Sequence, residues 1–438
     1  MTTIERPKLR PLSVQRHEQH GQAYALLTDP SAVFEQAILI PLELFLHVVR
    51  YFDGSITLME IQARALRESG RLMPLAELEQ LVDELDRSMV LDGPTFESFV
   101  QNYRESRHRP AALAGRSYAG TEKALRSQLT RFFSHEQSAG HWKKAAPANP
   151  DQRQRPEAAN LRGILSPHID FERGGLSYTW SYKELVEKSR ADVFVIFGVA
   201  HQFCRRRFSL TYKDFETPFG TVPTDRNYVG QIVDRVGDDF FEDELAHRTE
   251  HSIEFQVVFL QYVLGDVRPF SIVPVLVGSF HDLMERGIDP IEDPDVRRVI
   301  EALREVEARS GRRVAYIGGI DLCHVGPQFG DPSPVDVSVQ ETIRSFDESI
   351  LARAEACDAR GWFETASRIG NRWRVCGLAA TYTMLQTIGP ARGRLLNYDQ
   401  AIDDGRTCCV SFASMAFHSE DSAGSNAEAA IDSSSGVA

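Results

Sequence analysis

Four short segments carry imidazoles, carboxylates and a thiol, the groups that ligate metal ions and move protons. Leu165-Ser166-Pro167-His168-Ile169-Asp170-Phe171 holds His168 just past an apolar run, and Gly198-Val199-Ala200-His201 holds His201 in the same way. Glu250-His251-Ser252-Ile253-Glu254 opens a helical pattern in which Glu250 and Glu254, four residues apart, share a face. Gly318-Gly319-Ile320-Asp321-Leu322-Cys323-His324 delivers Asp321, Cys323 and His324 within four residues. Taken singly, each has a structural reading: a His after a strand is often a loop residue with a hydrogen bond, and a buried Cys is usually inert core. Together they ask for more, because the carboxyl ends of parallel strands converge on one edge of a sheet. Nitrogen, sulfur and oxygen donors from several loops, fixed by a rigid sheet, are what metal ligation needs.

Other motifs narrow the chemistry. His247 and His251 are four apart, but Arg248 stands where a zinc-protease helix needs its Glu, so His247 reads as structural. No G-x-x-x-x-G-K-[ST], G-x-S-x-G or paired C-x-x-C motif is present. Cys204 precedes Arg205-Arg206-Arg207 without a second Cys nearby, and Cys408-Cys409 would point to opposite faces of a strand.

The elements that must position these residues alternate from Leu161 onward. Strands are expected at 162–166, 193–199, 208–212, 270–277, 314–320, 395–398 and 408–416. Helices are expected at 177–188, 228–236, 250–264, 295–308, 335–356, 361–369 and 377–386. This alternation predicts an α/β fold with a central, mostly parallel sheet flanked by helices. Upstream, two apolar stretches around His20-Gly21 predict a hairpin. An apolar, helix-like run from Ala32 to Phe52 is interrupted at Pro41, and further helices follow, so that 8–95 forms a small winged-helix-like α+β domain. Residues 96–112 read as a polar, basic linker, 113–417 as the α/β domain with a mobile loop at 135–160, and 418–438 as a disordered acidic tail.

The 438 residues suffice for more than one domain, and 42% hydrophobic with 25% charged residues describes a globular chain. A formal charge of -13 argues against nucleic acid or an anionic membrane as the main partner. No apolar run approaches the roughly 20 residues that cross a bilayer. The start of the chain lacks a signal-peptide pattern, and six scattered cysteines do not form a disulfide framework, so a cytoplasmic location with reduced thiols is expected.

Read in order, the four segments resemble the Memo family, in its form called AmmeMemoRadiSam system protein B. Further landmarks are Gly115-Arg116-Ser117-Tyr118-Ala119-Gly120, Thr217-Pro218-Phe219-Gly220 with Asp225, Ile272-Val273-Pro274-Val275-Leu276-Val277-Gly278, and Val375-Cys376-Gly377. The resemblance implies a fold similar to class III extradiol dioxygenases and one metal ion, iron or copper, held by His168, His201 and Cys323. It places Asp225, His251 and His324 around the pocket as acid/base groups. Two imidazoles with a thiolate suit iron or copper, and zinc is also compatible. Asp321 would orient the loop or a histidine. Two departures stand out: Ile169-Asp170-Phe171 after the first His, where Asp170 adds a carboxylate as ligand or neighbour, and Gln202 beside the second His. Residues 8–95 resemble the PqqD-type domains that present peptides or partners to radical SAM enzymes. The resulting expectation is a redox-type, dioxygenase-like metalloenzyme acting on a small molecule or modified peptide, with a radical SAM enzyme and an AMMECR-type protein as partners. The alternatives are a non-catalytic metal or peptide carrier, and a zinc hydrolase with Asp225 or Asp321 as base.

Overall fold

The computed structural model describes residues 4–34, 36–142, 161–202 and 204–420. Two compact units divide after Ser106. In the first, β1 (Ser13–Gln19) and β2 (Gln22–Thr28) form an antiparallel hairpin. His20 and Gly21 both have positive φ, 51° and 75°, as a tight hairpin turn matched to strand twist requires. The run from Ala32 is not continuously helical: β3 (Ile38–Pro41) joins β2, and α1 (Leu42–His47) starts only after Pro41. Ile40 is buried in that sheet, and Pro41, which lacks a donor, ends the strand.

Helix α2 (Leu58–Ser69) begins at a capping box between Thr57 and Glu60, and α3 (Leu75–Arg87) buries Leu78, Val82 and Leu85 along one stripe. The segment expected as a linker, 96–112, is helical as far as Glu105 within α4 (Pro94–Glu105), which opens with Pro at its first position. It then enters β4 (His108–Arg109).

The second unit continues with α5 (Glu122–Ser134), β5 (Leu161–Ser166), α6 (Phe171–Lys188) and β6 (Val193–Val199). Of the expected loop 135–160, residues 143–160 lie outside the described residues. Helix α6 starts six residues before the expected 177, passing through Gly174-Gly175. Any Cβ there would strike Ile169 or the Phe132 ring, so the pair serves close packing. Short strands β7 (Phe208–Leu210), β8 (Asp214–Thr217) and β9 (Gly220–Val222) lead to α7 (Arg226–Val236) and α8 (His251–Leu264). Then come β10 (Ser271–Val277), α9 (His281–Glu285), α10 (Pro294–Ser310), β11 (Val314–Gly319) and β12 (His324–Val325). Helices α11 (Val337–Glu355), α12 (Ala359–Ser367) and α13 (Leu378–Thr387) precede β13 (Ala391–Ile402) and β14 (Cys409–Ser419). His418 and Ser419 thus belong to a strand, and 421–438 lie outside the described residues.

Four central strands run parallel in the order β5-β11-β6-β10, with antiparallel β7 beyond β10 and antiparallel β14 beside β5. β13 pairs with the other side of β14. The sheet is buried on both faces because alternate side chains of each strand enter separate cores. Val193, Val195 and Phe197 of β6 pack with α7, α10 and α13, while Phe194 and Ile196 pack with α5, α6 and α8. Full burial of each such side chain contributes about 1.5–3 kcal/mol. α8 is apolar nearly all round, as a helix covered on every side must be. Its first turn lies against the ends of β6 and β11, where side chains on Gly198 and Gly319 would collide with Ser252. These two glycines bring Glu250 and His251 to the carboxyl edge of the sheet. No helix among the described residues is long and apolar enough to cross a membrane.

Candidate metal centre

Three loops deliver three imidazoles to that edge. His168 follows β5, His201 follows β6, and His251 is the first residue of α8. One ring nitrogen from each lies within 4.8 Å of the other two. The ring centroids form a near-equilateral triangle: 5.0 Å from His168 to His201, 5.0 Å from His168 to His251 and 4.6 Å from His201 to His251.

The triangle is oriented from behind. His168 Nδ1 lies 2.9 Å from the Gly319 carbonyl, which can only accept, so Nδ1 carries the proton and Nε2 keeps its lone pair. Glu250 faces the other two rings: its Oε1 is hydrogen-bonded to His201 Nδ1 at 3.0 Å and lies 3.2 Å from His251 Nδ1. The His201 amide donates to Oε2 of the same carboxylate at 3.1 Å, and the Ser252 amide to Oε1 at 3.0 Å. Acceptors behind the ring fix tautomer and direction in carboxylate–histidine–metal sites. Burial drives His168 well below its ordinary value, with the His201 and His251 rings adding to it. Burial likewise brings His251 to about 4, against the pull of Glu250. Removal from solvent opposes charge on His201 too, but the charge and hydrogen bond of Glu250 leave that ring raised. Burial disfavours charge on Glu250, and the His201 and His251 rings overcome this and hold it below the usual carboxylate range. Three converging imidazoles backed by an anion fit a cation, so His168, His201 and His251 could hold one metal ion. His168 is 2% exposed, whereas His201 and His251 have side chains 37% and 33% exposed, so the cluster opens on their side.

Among the expected neighbours, Asp321 is in place. Its Oδ1 accepts from the His168 amide at 2.9 Å, its Oδ2 lies 3.6 Å from His168 Nε2, and burial pushes its carboxyl up to about 7. His324 donates its amide to the Trp373 carbonyl, and its ring Nδ1 lies 3.1 Å from the Leu322 carbonyl. Burial, then the charge of His201, brings it to about 4.

Four expected residues are not in the histidine cluster. The Cys323 thiol is fully buried and donates to Asp347 Oδ1 at 3.1 Å, so it is not in the histidine group. Backbone bonds on both sides of Ser411, with the Cys323 amide donating to Ser411 Oγ, turn the thiol into the core instead. Asp225 sits at the opposite end of the sheet: it caps α7 through the Tyr228 amide, pairs with Arg312 at 2.8 Å, and donates its own amide to Ile272, near the start of β10. Asp170 caps α6 and pairs with Arg173 at 2.6 Å. Glu254 faces away from the imidazoles, accepting from Arg109, Tyr118 Oη and the Leu113 amide. His247 is buried, with Nε2 3.0 Å from the Ser209 carbonyl, as a structural residue would be.

Two residues were given no site role from the sequence, although one lies in the landmark Val375-Cys376-Gly377. Cys376 places Sγ 3.2 Å from His168 Nε2, and the thiol donates to that nitrogen. Its loop reaches the site because the Cys376 and Gly377 amides donate to the Leu322 and Asp321 carbonyls, and a side chain on Gly377 would meet Ile320. Burial, then the charge of Asp321, raises this thiol well above its ordinary value. A Cys-Gly pair at the start of an apolar helix was the available signal. Arg109, fully buried, donates to the carbonyls of His247 and Glu250 and pairs with Glu254, so it holds the turn that presents Glu250.

Residues 109–416 match the family model described as Memo-like protein. A MEMO1 family protein of Aquifex aeolicus is 27% identical over 420 residues, covering 94% of this chain and 100% of that protein, so the likeness reaches into the N-terminal unit. MEMO1 family proteins of Methanopyrus kandleri and Thermus thermophilus are 28% and 26% identical, over 66% and 78% of this chain and 91% and 92% of their own.

Proposed function

Because the chain belongs to the Memo-like protein family, we propose that His168, His201 and His251, joined by the Cys376 thiol, hold one redox-active ion, iron or copper, in a metalloenzyme acting on a small molecule or modified peptide. The observation that carries this reading is the convergence of three imidazoles whose Nδ1 atoms all face acceptors, leaving Nε2 of each for a cation. A polarisable sulfur beside them favours iron or copper over a hard cation. Such an ion would supply electron transfer and Lewis acidity.

The chain's own residues supply orientation and protons. Glu250 fixes two rings, and Gly319 fixes the third. Asp321, whose carboxyl burial raises to about 7, can give up or take a proton at Oδ2, 3.6 Å from His168 Nε2. His324, neutral at ordinary pH, is the second base. With Asp225 at the far end of the sheet, a zinc hydrolase would have to use Asp321. A radical SAM enzyme and an AMMECR-type protein are the partners the family resemblance suggests, with the N-terminal unit as docking module. Loss of their complexes in a chain lacking residues 1–106, followed by sedimentation, would support that role.

Elemental analysis of protein purified without oxygen tests the metal reading. About one iron or copper per chain is expected in wild type and little in His168→Ala, His201→Ala or His251→Ala. Full metal content in all three variants overturns the site, and stoichiometric zinc alone overturns the redox assignment. Reductant-dependent oxygen uptake separates an enzyme from a carrier.

A further inference from the structure

Next to the histidines lies a cleft of about 650 Å³ that runs from His201 over Arg205 and Arg206 to Arg207. That volume suits a small organic molecule. Most of its charged lining is already committed. Arg206 pairs with Asp239 at 3.0 Å and Glu242 at 3.3 Å. Arg207 forks onto both oxygens of Asp282, at 2.8 and 2.7 Å, and reaches Asp293 at 3.2 Å. The acids are spoken for in turn: Asp282 also takes Arg286, and the remaining lining carboxylate, Asp295, takes Arg298. Arg205 is the exception. Its side chain is exposed in the same cleft, and it has no ion pair among the described residues. One wall of the cleft is therefore a guanidinium with open donors, on the same loop as a histidine of the proposed metal centre.

We propose that this cleft binds the substrate by an oxyanion, a carboxylate or a phosphate, held by Arg205 while the reacting end of the molecule lies at His201. The inference rests on the metal-centre reading for its choice of reacting end, but not for the anion itself. A guanidinium presents a planar fork of donors that matches either oxyanion, and a charge-assisted bond of this type is about twice as strong as a neutral one. Arg206 and Arg207, neutralised by their carboxylates, shape the wall without attracting a second anion. An uncharged catechol-like molecule would leave Arg205 unused.

Calorimetric titration of full-length wild type and Arg205→Gln with inorganic phosphate and with succinate, at fixed ionic strength, decides the matter. The metal content of both proteins is measured alongside. At least one anion should bind wild type saturably at one per chain. Arg205→Gln should weaken it about ten-fold or more while leaving metal content unchanged. Phosphate binding alone identifies a phosphorylated substrate, and succinate binding alone a carboxylic acid. Equal affinity in the variant, or no binding of either anion to wild type, overturns the proposal. A wild type that contains no metal but still binds an anion through Arg205 would sink the metal reading and leave this site standing.

Discussion

Cys323 is buried and Cys376 partly buried, both lie on loops that meet at Asp321 and Leu322, and both have thiols that are hard to ionise, chiefly through desolvation. Their surroundings differ. Cys323 donates to Asp347 Oδ1, whose second oxygen accepts from Tyr398 Oη at 2.8 Å, and this closed polar patch sits within the apolar core. Cys376 donates instead to His168 Nε2, an atom with two further imidazoles beside it. A thiol that meets a carboxylate has its proton held in place, and one that meets neutral imidazoles can exchange that proton for a metal ion. What separates a structural cysteine from a ligand is therefore the acceptor it faces, not how close it stands to a histidine in the chain.

The largest way to break the contrast is to remove what orients the imidazoles. Glu250→Gln should lower metal affinity by about 10–100-fold, the usual effect of losing a partner behind a ligand. Competition against a chromophoric chelator measures this, and unchanged affinity would show that Glu250 does not align the rings. Next come the thiols. Cys376→Ser should lower metal affinity about ten-fold or more, because a hydroxyl replaces the soft sulfur ligand. Cys323→Ala should leave metal affinity unchanged and remove about 1–3 kcal/mol from unfolding stability, because Asp347 loses a buried donor. Denaturant unfolding and metal titration of the two variants should give opposite patterns, and identical patterns would erase the distinction.

A smaller effect sharpens the Cys323 side. Burial raises Asp347 from 3.8 to about 6. A group with a raised folded value contributes stability fully below about 3.8, and that contribution is lost as pH rises through about 6. Asp347→Asn removes this titration, so its stability relative to wild type should improve from pH 4 to pH 7, by up to roughly 2–3 kcal/mol. Urea unfolding across that range measures it. Parallel curves for the two proteins would mean that Asp347 does not titrate in this window.

The strand ends and histidines were legible because they depend on local pattern. The run Val193 to Val199 is wholly buried and could scarcely be anything but a central strand, so His201 had to emerge at its end. Gly318-Gly319 marked the end of β11 for the same reason. The choice between thiols was not legible, because it depends on partners far away in the chain. Asp347, on α11, captures Cys323, and the close approach permitted by Gly377 delivers Cys376. The family resemblance placed Asp225 at the pocket, yet its amide bonds at the start of β10, not the end. Glu254 does share a helix with Glu250, but Arg109, 145 residues earlier, turns it to another task. The helix expected from 177 left out Gly174-Gly175, which lie inside α6 and let Ile169 and Phe132 approach.

The most direct test of the account is X-ray absorption at the metal edge of iron- or copper-loaded protein, comparing wild type with Cys376→Ser and Cys323→Ser. Imidazole scattering is expected in all three, with a sulfur scatterer at about 2.3 Å in wild type and Cys323→Ser that disappears in Cys376→Ser. A sulfur signal that survives in Cys376→Ser and vanishes in Cys323→Ser would contradict it.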